Sequence, residues 1–374
     1  MTTITQIQPS HDSPASVGFH YGQEKQNLPE SLGIDQILVS FLFSPINPQD
    51  LLVLAGRYPV KPLHALNNEP ILGYDGVARV EAVGPRQTDT PAIQFRPGDL
   101  VVPRRHGLGT WRSHAILSVA DVIPLSPTED LIGASLLRMA FLPAYLLVED
   151  MRNLKPGDWI IQNAGSGTIA RLVAQFARLK GVHVCSVVRD RKECDFEKLK
   201  THLLSQGVDI VLTEDDLARK GLDASAELAA AASRGRVVLA IDAVFGESGK
   251  RLANALSHGG TYVNYGSLGG ANEILGLSQR MLFWSEITFR NFRLSEQLKS
   301  RTEAQQESLL LWFQDLLARG LLHTPPVETI QLPRYDLNRD EFECRVRKVV
   351  TADPADNVGT VKQVLQFGEI HSGY

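Results

Sequence analysis

The stretch Trp159-Ile-Ile-Gln-Asn163-Ala-Gly165-Ser166-Gly167-Thr168-Ile-Ala170 decides the fold. An apolar run from Trp159 to Asn163 passes through two glycines into the helical pattern Arg171 to Lys180, the order of a strand, a tight turn and a helix. Glycines at such a junction let backbone N–H groups approach a pyrophosphate. The helix N-terminus adds partial positive charge, and a small third residue, here Ala170, keeps helix and strand close. Alone, Gly165-x-Gly167-x-x-Ala170 is equally a glycine turn before an amphipathic helix. Its place ahead of five further strand candidates makes it a dinucleotide loop, with Asn163, Ser166 and Thr168 beside the glycines.

Those candidates are His183-Val-Cys-Ser-Val-Val188, Asp209 to Leu212, Val237 to Ile241, Thr261 to Tyr265 and Ile287 to Phe292, with helical segments between most of them. Six strands so connected predict a doubly wound parallel sheet, because parallel neighbours need crossover connections. Upstream the rhythm differs. Residues 1–30 read as an extended arm, Ile37 to Phe43 as a strand broken by Ser44-Pro-Ile-Asn-Pro, Gly76 to Gly84 as β-rich, and Arg96-Pro-Gly-Asp as a turn before a strand. Glu303 to Arg319 reads as a helix and Val361 to Phe367 as a returning strand. The expected organisation is an α/β chain with a nucleotide domain over 127–295 inserted in a smaller β-rich domain of 1–126 and 296–374, and hence a cleft.

The bulk numbers narrow the function. With 374 residues, 43% apolar and 21% charged, the chain has material for two cores. A net charge of −4 and the lack of a clustered basic run exclude nucleic acid as an expected partner. Cys185, Cys194 and Cys344 are scattered, which suits a reducing compartment. No signal-like or Arg-rich leader is read in residues 1–30, and no apolar stretch reaches the ~18 residues of a membrane span, so a cytoplasmic protein without membrane contact is expected.

The second strand ends in Arg189-Asp190-Arg191, about twenty residues beyond the glycine loop, where an acid holds a ribose 2′-hydroxyl and an arginine accommodates a 2′-phosphate. Arg189 and Arg191 favour NADPH. The alternative is a solvated turn in which Asp190 binds the ribose.

Asn47-Pro-x-Asp50, Gly56-Arg-Tyr-Pro59, Gly73-Tyr-Asp-Gly-Val77, Gly109-Thr-Trp-Arg112, Gln162-Asn-Ala-Gly165, Ser186-Val-Val-Arg-Asp-Arg191 and Gly259-Gly-Thr-Tyr-Val-Asn-Tyr-Gly266 together resemble the zinc-independent 2-enoyl thioester reductases of the medium-chain dehydrogenase/reductase superfamily. Mitochondrial trans-2-enoyl-CoA reductases are the nearest group in this likeness, and quinone oxidoreductases are more distant. The resemblance implies a Rossmann domain with a GroES-like catalytic domain, NADPH as cofactor, Tyr265 and Gly266 in the cofactor site, and a homodimer paired along the edge Ile287 to Phe292. It also implies an acid role for Tyr58 and places Asn47 where zinc enzymes supply a cysteine. Tyr58 is otherwise a tyrosine in a turn, and Asn47 otherwise a turn former that ends a strand.

The chain departs from that pattern in two ways. Gly73-Tyr74-Asp75 stands where zinc enzymes have Gly-His-Glu, and no cysteine-rich lobe is present, so no metal is expected. The glycine loop ends Thr168-Ile-Ala170 where the resembling reductases end Val-Gly. The expected activity is NADPH-dependent reduction of an activated C=C bond, foremost that of a 2-enoyl thioester on CoA or acyl-carrier protein. Quinone or enone reduction and noncatalytic NADPH binding are the alternatives. His106 and His114 are read as structural, and Trp111 and Arg112 as bracing.

Overall fold

In the computed structural model, which describes residues 1–7, 16–22, 31–86, 94–270, 272–332, 338–352 and 361–367, the strand that opens the glycine stretch is central in a parallel sheet. The chain divides into two compact units, one of Met1–Met139, Glu307–Ala352 and Val361–Tyr374, the other containing Ala140–Gln306.

The second unit carries six parallel strands in the spatial order Ile210–Thr213, His183–Val188, Trp159–Gln162, Val237–Asp242, Thr261–Asn264, Thr288–Asn291. In chain order this is 3-2-1-4-5-6, the Rossmann arrangement, and it reverses between the first and fourth strands. Parallel strands covered on both faces need continuous apolar runs. All four residues of Trp159–Gln162 and all six of Val237–Asp242 are buried accordingly. Helix Thr168–Leu179 buries Leu172, Val173 and Phe176. The ring of Phe176 meets Tyr145 of helix Leu142–Glu149 edge to face at 5.5 Å.

The first unit is built on a seven-stranded sheet ordered Val327–Gln331, Lys362–Gln366, Gln36–Pro45, Val77–Val83, Leu100–Pro103, Val122–Pro124, with His114–Ser118 also paired to Gln36–Pro45. Only the first pair is parallel. The returning strand is thus seated between the sheet's longest strand and Val327–Gln331.

Residues 1–30, expected as an extended arm, instead contribute the antiparallel pair Thr2–Ile7 and Ser16–Tyr21 within the described part. Their polarity misleads because the polar groups are partnered inside. Gln6 Nε2, for example, donates to the carbonyls of Val53 at 3.2 Å and Leu54 at 3.1 Å while Ile4 and Val17 enter the core. A helical stretch, Leu131–Glu149, is long and apolar enough to cross a membrane by length and composition, although Arg138 interrupts its apolar run; 89% of its 18-residue window is buried, as a core helix is. Arg138 lies within it, on the wider turn Leu137–Phe141.

Candidate active site

Strand Gln36–Pro45 ends just before Ile46, and the fixed φ of Pro48 starts helix Pro48–Leu54 with Asn47 as its N-cap. The Asn47 N–H donates to Asp50 Oδ2 at 2.7 Å. Lys362, on the returning strand, donates from Nζ to the Ile46 carbonyl at 2.7 Å and to Asn47 Oδ1 at 2.5 Å. Asn47 is 3% exposed, and its Nδ2 is buried with no hydrogen-bond partner. Burial pushes the Asp50 carboxyl up, opposed by the Asn47 N–H, by Lys362, by the Tyr74 N–H and by the neighbouring Asn47 side chain. Burial likewise pulls the Lys362 ammonium down, opposed by Asp50 and Asp75.

Tyr58 follows that helix, half-buried, its ring edge-on to Tyr74 at 5.7 Å and 88°. Burial raises its phenol above the ordinary tyrosine value, and the Asp50 charge adds to the rise. Tyr74, fully buried, donates its hydroxyl to the Val60 carbonyl at 2.5 Å, and burial raises its pKa in the same way. The next residue, Asp75, accepts from the N–H groups of Gly76 at 3.0 Å and Met139 at 2.9 Å. Burial pushes it up to about 8 in spite of those bonds and of Arg138. Arg138 itself is 3% exposed, with Nε and Nη1 lacking partners. His106, read as structural, is held neutral: burial and Arg138 bring it down to about 4. Trp111 is buried, and Arg112 bonds the Leu108 carbonyl at 3.0 Å. Among the described residues no group of three or more His, Cys, Asp or Glu is placed to hold a metal ion.

In the other unit, the residues expected around the cofactor lie at the carboxyl ends of the strands, at and beside the point where strand order reverses. Gly165 passes so near the second strand that a Cβ on it would lie 2.6 Å from Ser186 Cβ. Its N–H bonds the Val187 carbonyl at 2.9 Å. Gly167 caps helix Thr168–Leu179, whose first turn presents unpaired N–H groups by its geometry. Ala170 is packed at 1% exposure, its carbonyl accepting from Gln162 Nε2 at 2.9 Å. Ser166 is buried and its carbonyl accepts from Arg171 Nε at 2.8 Å. A Cβ on Gly266 would lie 2.8 Å from the Ala243 carbonyl oxygen, so this turn too needs glycine. Tyr265 follows strand Thr261–Asn264, and its N–H bonds the Asp242 carbonyl at 2.9 Å. These close approaches make a cradle that fits a dinucleotide.

Asn163 is engaged differently from a ligand-facing side chain. Its Nδ2 donates to Asp242 Oδ1 at 2.6 Å and Ser248 Oγ at 2.9 Å, and its Oδ1 accepts from the Ala243 N–H at 2.8 Å. Asp242 is the hub that sequence reading missed. Besides Asn163 it takes the N–H groups of Val244 and Phe245 and the hydroxyl of Tyr262, fixing the turn after the fourth strand. Arg189 is exposed and Arg191 partly so, with Arg191 Nε donating to the Arg189 carbonyl at 3.2 Å. Asp190 Oδ1 accepts from the Asp215 N–H at 3.1 Å, at the start of helix Glu214–Lys220. Lys362, Arg138 and Asp242 carried no local sequence signal.

No family model matches the chain. Among curated proteins it is 34% identical over 300 residues to the mitochondrial enoyl-acyl-carrier-protein reductase of Homo sapiens, covering 80% of this chain and 75% of that one. Among solved structures it is similar to Etr1p in its NADP and crotonyl-CoA complex, with TM-score 0.79 and 23% identity over 98% of this chain and all of that one. The Etr1p/Etr2p heterodimer from Candida tropicalis gives 0.78 at the same identity and the same coverage of both chains. A quinone reductase from Bacillus thuringiensis gives 0.72 at 22%, covering 98% of each chain. The expected cytoplasmic location does not stand, since the curated relatives are named as mitochondrial enzymes. The N-terminal residues on which it rested form strands of the fold and report nothing about targeting.

Proposed function

Because the chain belongs to the enoyl-acyl-carrier-protein reductase family, we propose that it reduces the C=C bond of a 2-enoyl thioester with NADPH. The observation that carries this reading is the pair of neutral donors in the β-rich unit: a Tyr58 phenol kept protonated and an Asn47 amide Nδ2 buried without a partner. Bound in the glycine-loop cradle, NADPH would supply the hydride that the β-carbon accepts. The charge left behind settles on the thioester oxygen as an enolate, and preorganised neutral donors in a site shielded from water stabilise such an oxygen as it forms. Tyr58 is the group we assign to holding that oxygen or protonating the α-carbon. Tyr74 fixes the phenol from the side, its own hydroxyl being bound to Val60.

In the nucleotide unit the Gly165 to Ala170 loop is assigned to the pyrophosphate, with Asn163 bracing it, and Tyr265 and Gly266 line the far side. Arg189 and Arg191 are assigned to the 2′-phosphate. Arg189 and Arg191 flank Asp190, whose Oδ1 accepts the Asp215 N–H and whose other oxygen is the alternative reader of the ribose. The relatives' names point to mitochondria. We also propose a homodimer along strand Thr288–Asn291, the sheet's outer strand, beside which Leu282, Phe283 and Trp284 are 52%, 65% and 68% exposed.

The test is Tyr58→Phe with crotonyl-CoA. Loss of the hydroxyl lowers kcat by about 10²–10⁴ while NADPH binding, followed by fluorescence, is kept. A variant within about threefold of wild type removes Tyr58 from the chemistry. Turnover of quinones in preference to enoyl thioesters assigns the chain to the other activity found on this fold.

A further inference from the structure

We propose that Lys362 is a positioning residue that locks the orientation of the Asn47 amide, so that Asn47 presents its N–H₂ rather than its oxygen to the thioester carbonyl. The inference rests on the enoyl reductase reading and deepens it. An ammonium has only donors, so the amide atom facing it must be oxygen. Lys362 Nζ meets Asn47 Oδ1 at 2.5 Å and is steadied by the Ile46 carbonyl at 2.7 Å. The amide nitrogen is thereby turned away from the lysine; it is buried beside the Asp50 carboxylate, whose pKa it lowers, yet makes no hydrogen bond of good geometry. An orphaned buried donor is destabilising, and the native chain keeps this one in place with a distant side chain. An oxygen acceptor that gains charge during the reaction is the ligand such a donor suits.

The lock depends on the lysine proton. Once deprotonated, the amine keeps two N–H donors but loses its charge and gains a lone pair, so the bond to Asn47 Oδ1 weakens and the amide is no longer held to one orientation. Burial lowers the Lys362 pKa, so this loss falls below the ordinary lysine value of about 10.4. Activity dependent on the lock is therefore present at neutral pH and lost as pH rises. Asp50, from the helix that Asn47 caps, and Asp75 face the same ammonium. On the adjoining strand, Glu328 is paired with Arg345 and Gln363. Asp75, pushed up to about 8, titrates in the same region, so the wild-type profile alone does not decide.

The experiment measures kcat/KM for crotonyl-CoA from pH 6 to 10 in wild type, Lys362→Arg, Lys362→Met, Asn47→Ala and the double variant Asn47→Ala/Lys362→Met, with NADPH affinity and circular dichroism as controls. Wild-type turnover is established first, and its absence overturns the parent reading rather than this one. Lys362→Met is expected to lose about tenfold or more in kcat at unchanged NADPH affinity. Arginine stays charged throughout, so Lys362→Arg is expected to keep its rate where wild type declines. If arginine does not fit, the double variant decides: a lysine acting through Asn47 makes it no worse than Asn47→Ala alone. Additive losses, or an alkaline decline unchanged in a folded Lys362→Arg, overturn the proposal.

Discussion

Replacing Gly165 by alanine tests whether the glycine loop is held by packing against the second strand. The φ of Gly165 is not positive, so backbone strain contributes nothing and the added methyl is the whole perturbation. That methyl would lie 2.6 Å from Ser186 Cβ and 3.1 Å from the Val187 carbonyl oxygen. Carbon atoms rest at about 3.5–4.0 Å, so the loop must withdraw by about 1 Å. Ser186 is fully buried within its strand and cannot yield, so the movement falls on the loop and stretches the 2.9 Å bond from Gly165 N to Val187 O. Overpacking of this kind costs about 1–3 kcal/mol. Because the displaced segment is the assigned pyrophosphate cradle, NADPH affinity should fall about tenfold or more as well. Ser186→Gly removes the struck atom. By itself it loses the 3.0 Å bond from Gln162 Nε2 to Ser186 Oγ, worth about 1 kcal/mol, and places glycine in a strand at about 0.5–1 kcal/mol. The double variant should recover about 1 kcal/mol relative to the sum of the singles, the recovery being partial because the Val187 contact remains. Urea midpoints and NADPH fluorescence titrations on the four proteins measure this cycle. Strict additivity in both readouts refutes the packing argument.

Arg189→Ala and Arg191→Ala should weaken NADPH about ten- to a hundredfold each and NADH little, since a charge-assisted hydrogen bond contributes about 1.5–3 kcal/mol; equal weakening of both cofactors would reassign the arginines to structure. Light scattering at micromolar concentration should give twice the 41.2 kDa chain mass, and Trp284→Glu beside the outer strand should lower it toward one chain; a wild-type monomer ends the dimer proposal.

What was legible in the sequence follows from how far each signal reaches along the chain. The run Trp159 to Ala170 contains its strand, turn and helix within adjacent residues, and parallel strands announce themselves as apolar runs because both faces are covered. The chain's first strands were opaque for the converse reason: Gln6 is buried through carbonyls 47 and 48 residues away. Lys362 meets Asn47 across 315 residues, and no window holds both.

Motif matching also reads positions and not atoms, and Asn163 marks the difference. The likeness put it among the cofactor residues, yet its amide is held on both ends by Asp242, Ser248 and Ala243. Asn47 is the opposite case: read as evenly a turn former or a donor, its backbone starts the helix, and its buried Nδ2 without a partner is what supports the donor role proposed above. In each the residue type was compatible with either role. The deciding quantity was the number of hydrogen-bond partners that the fold brings in from elsewhere, and only the tertiary structure supplies that number.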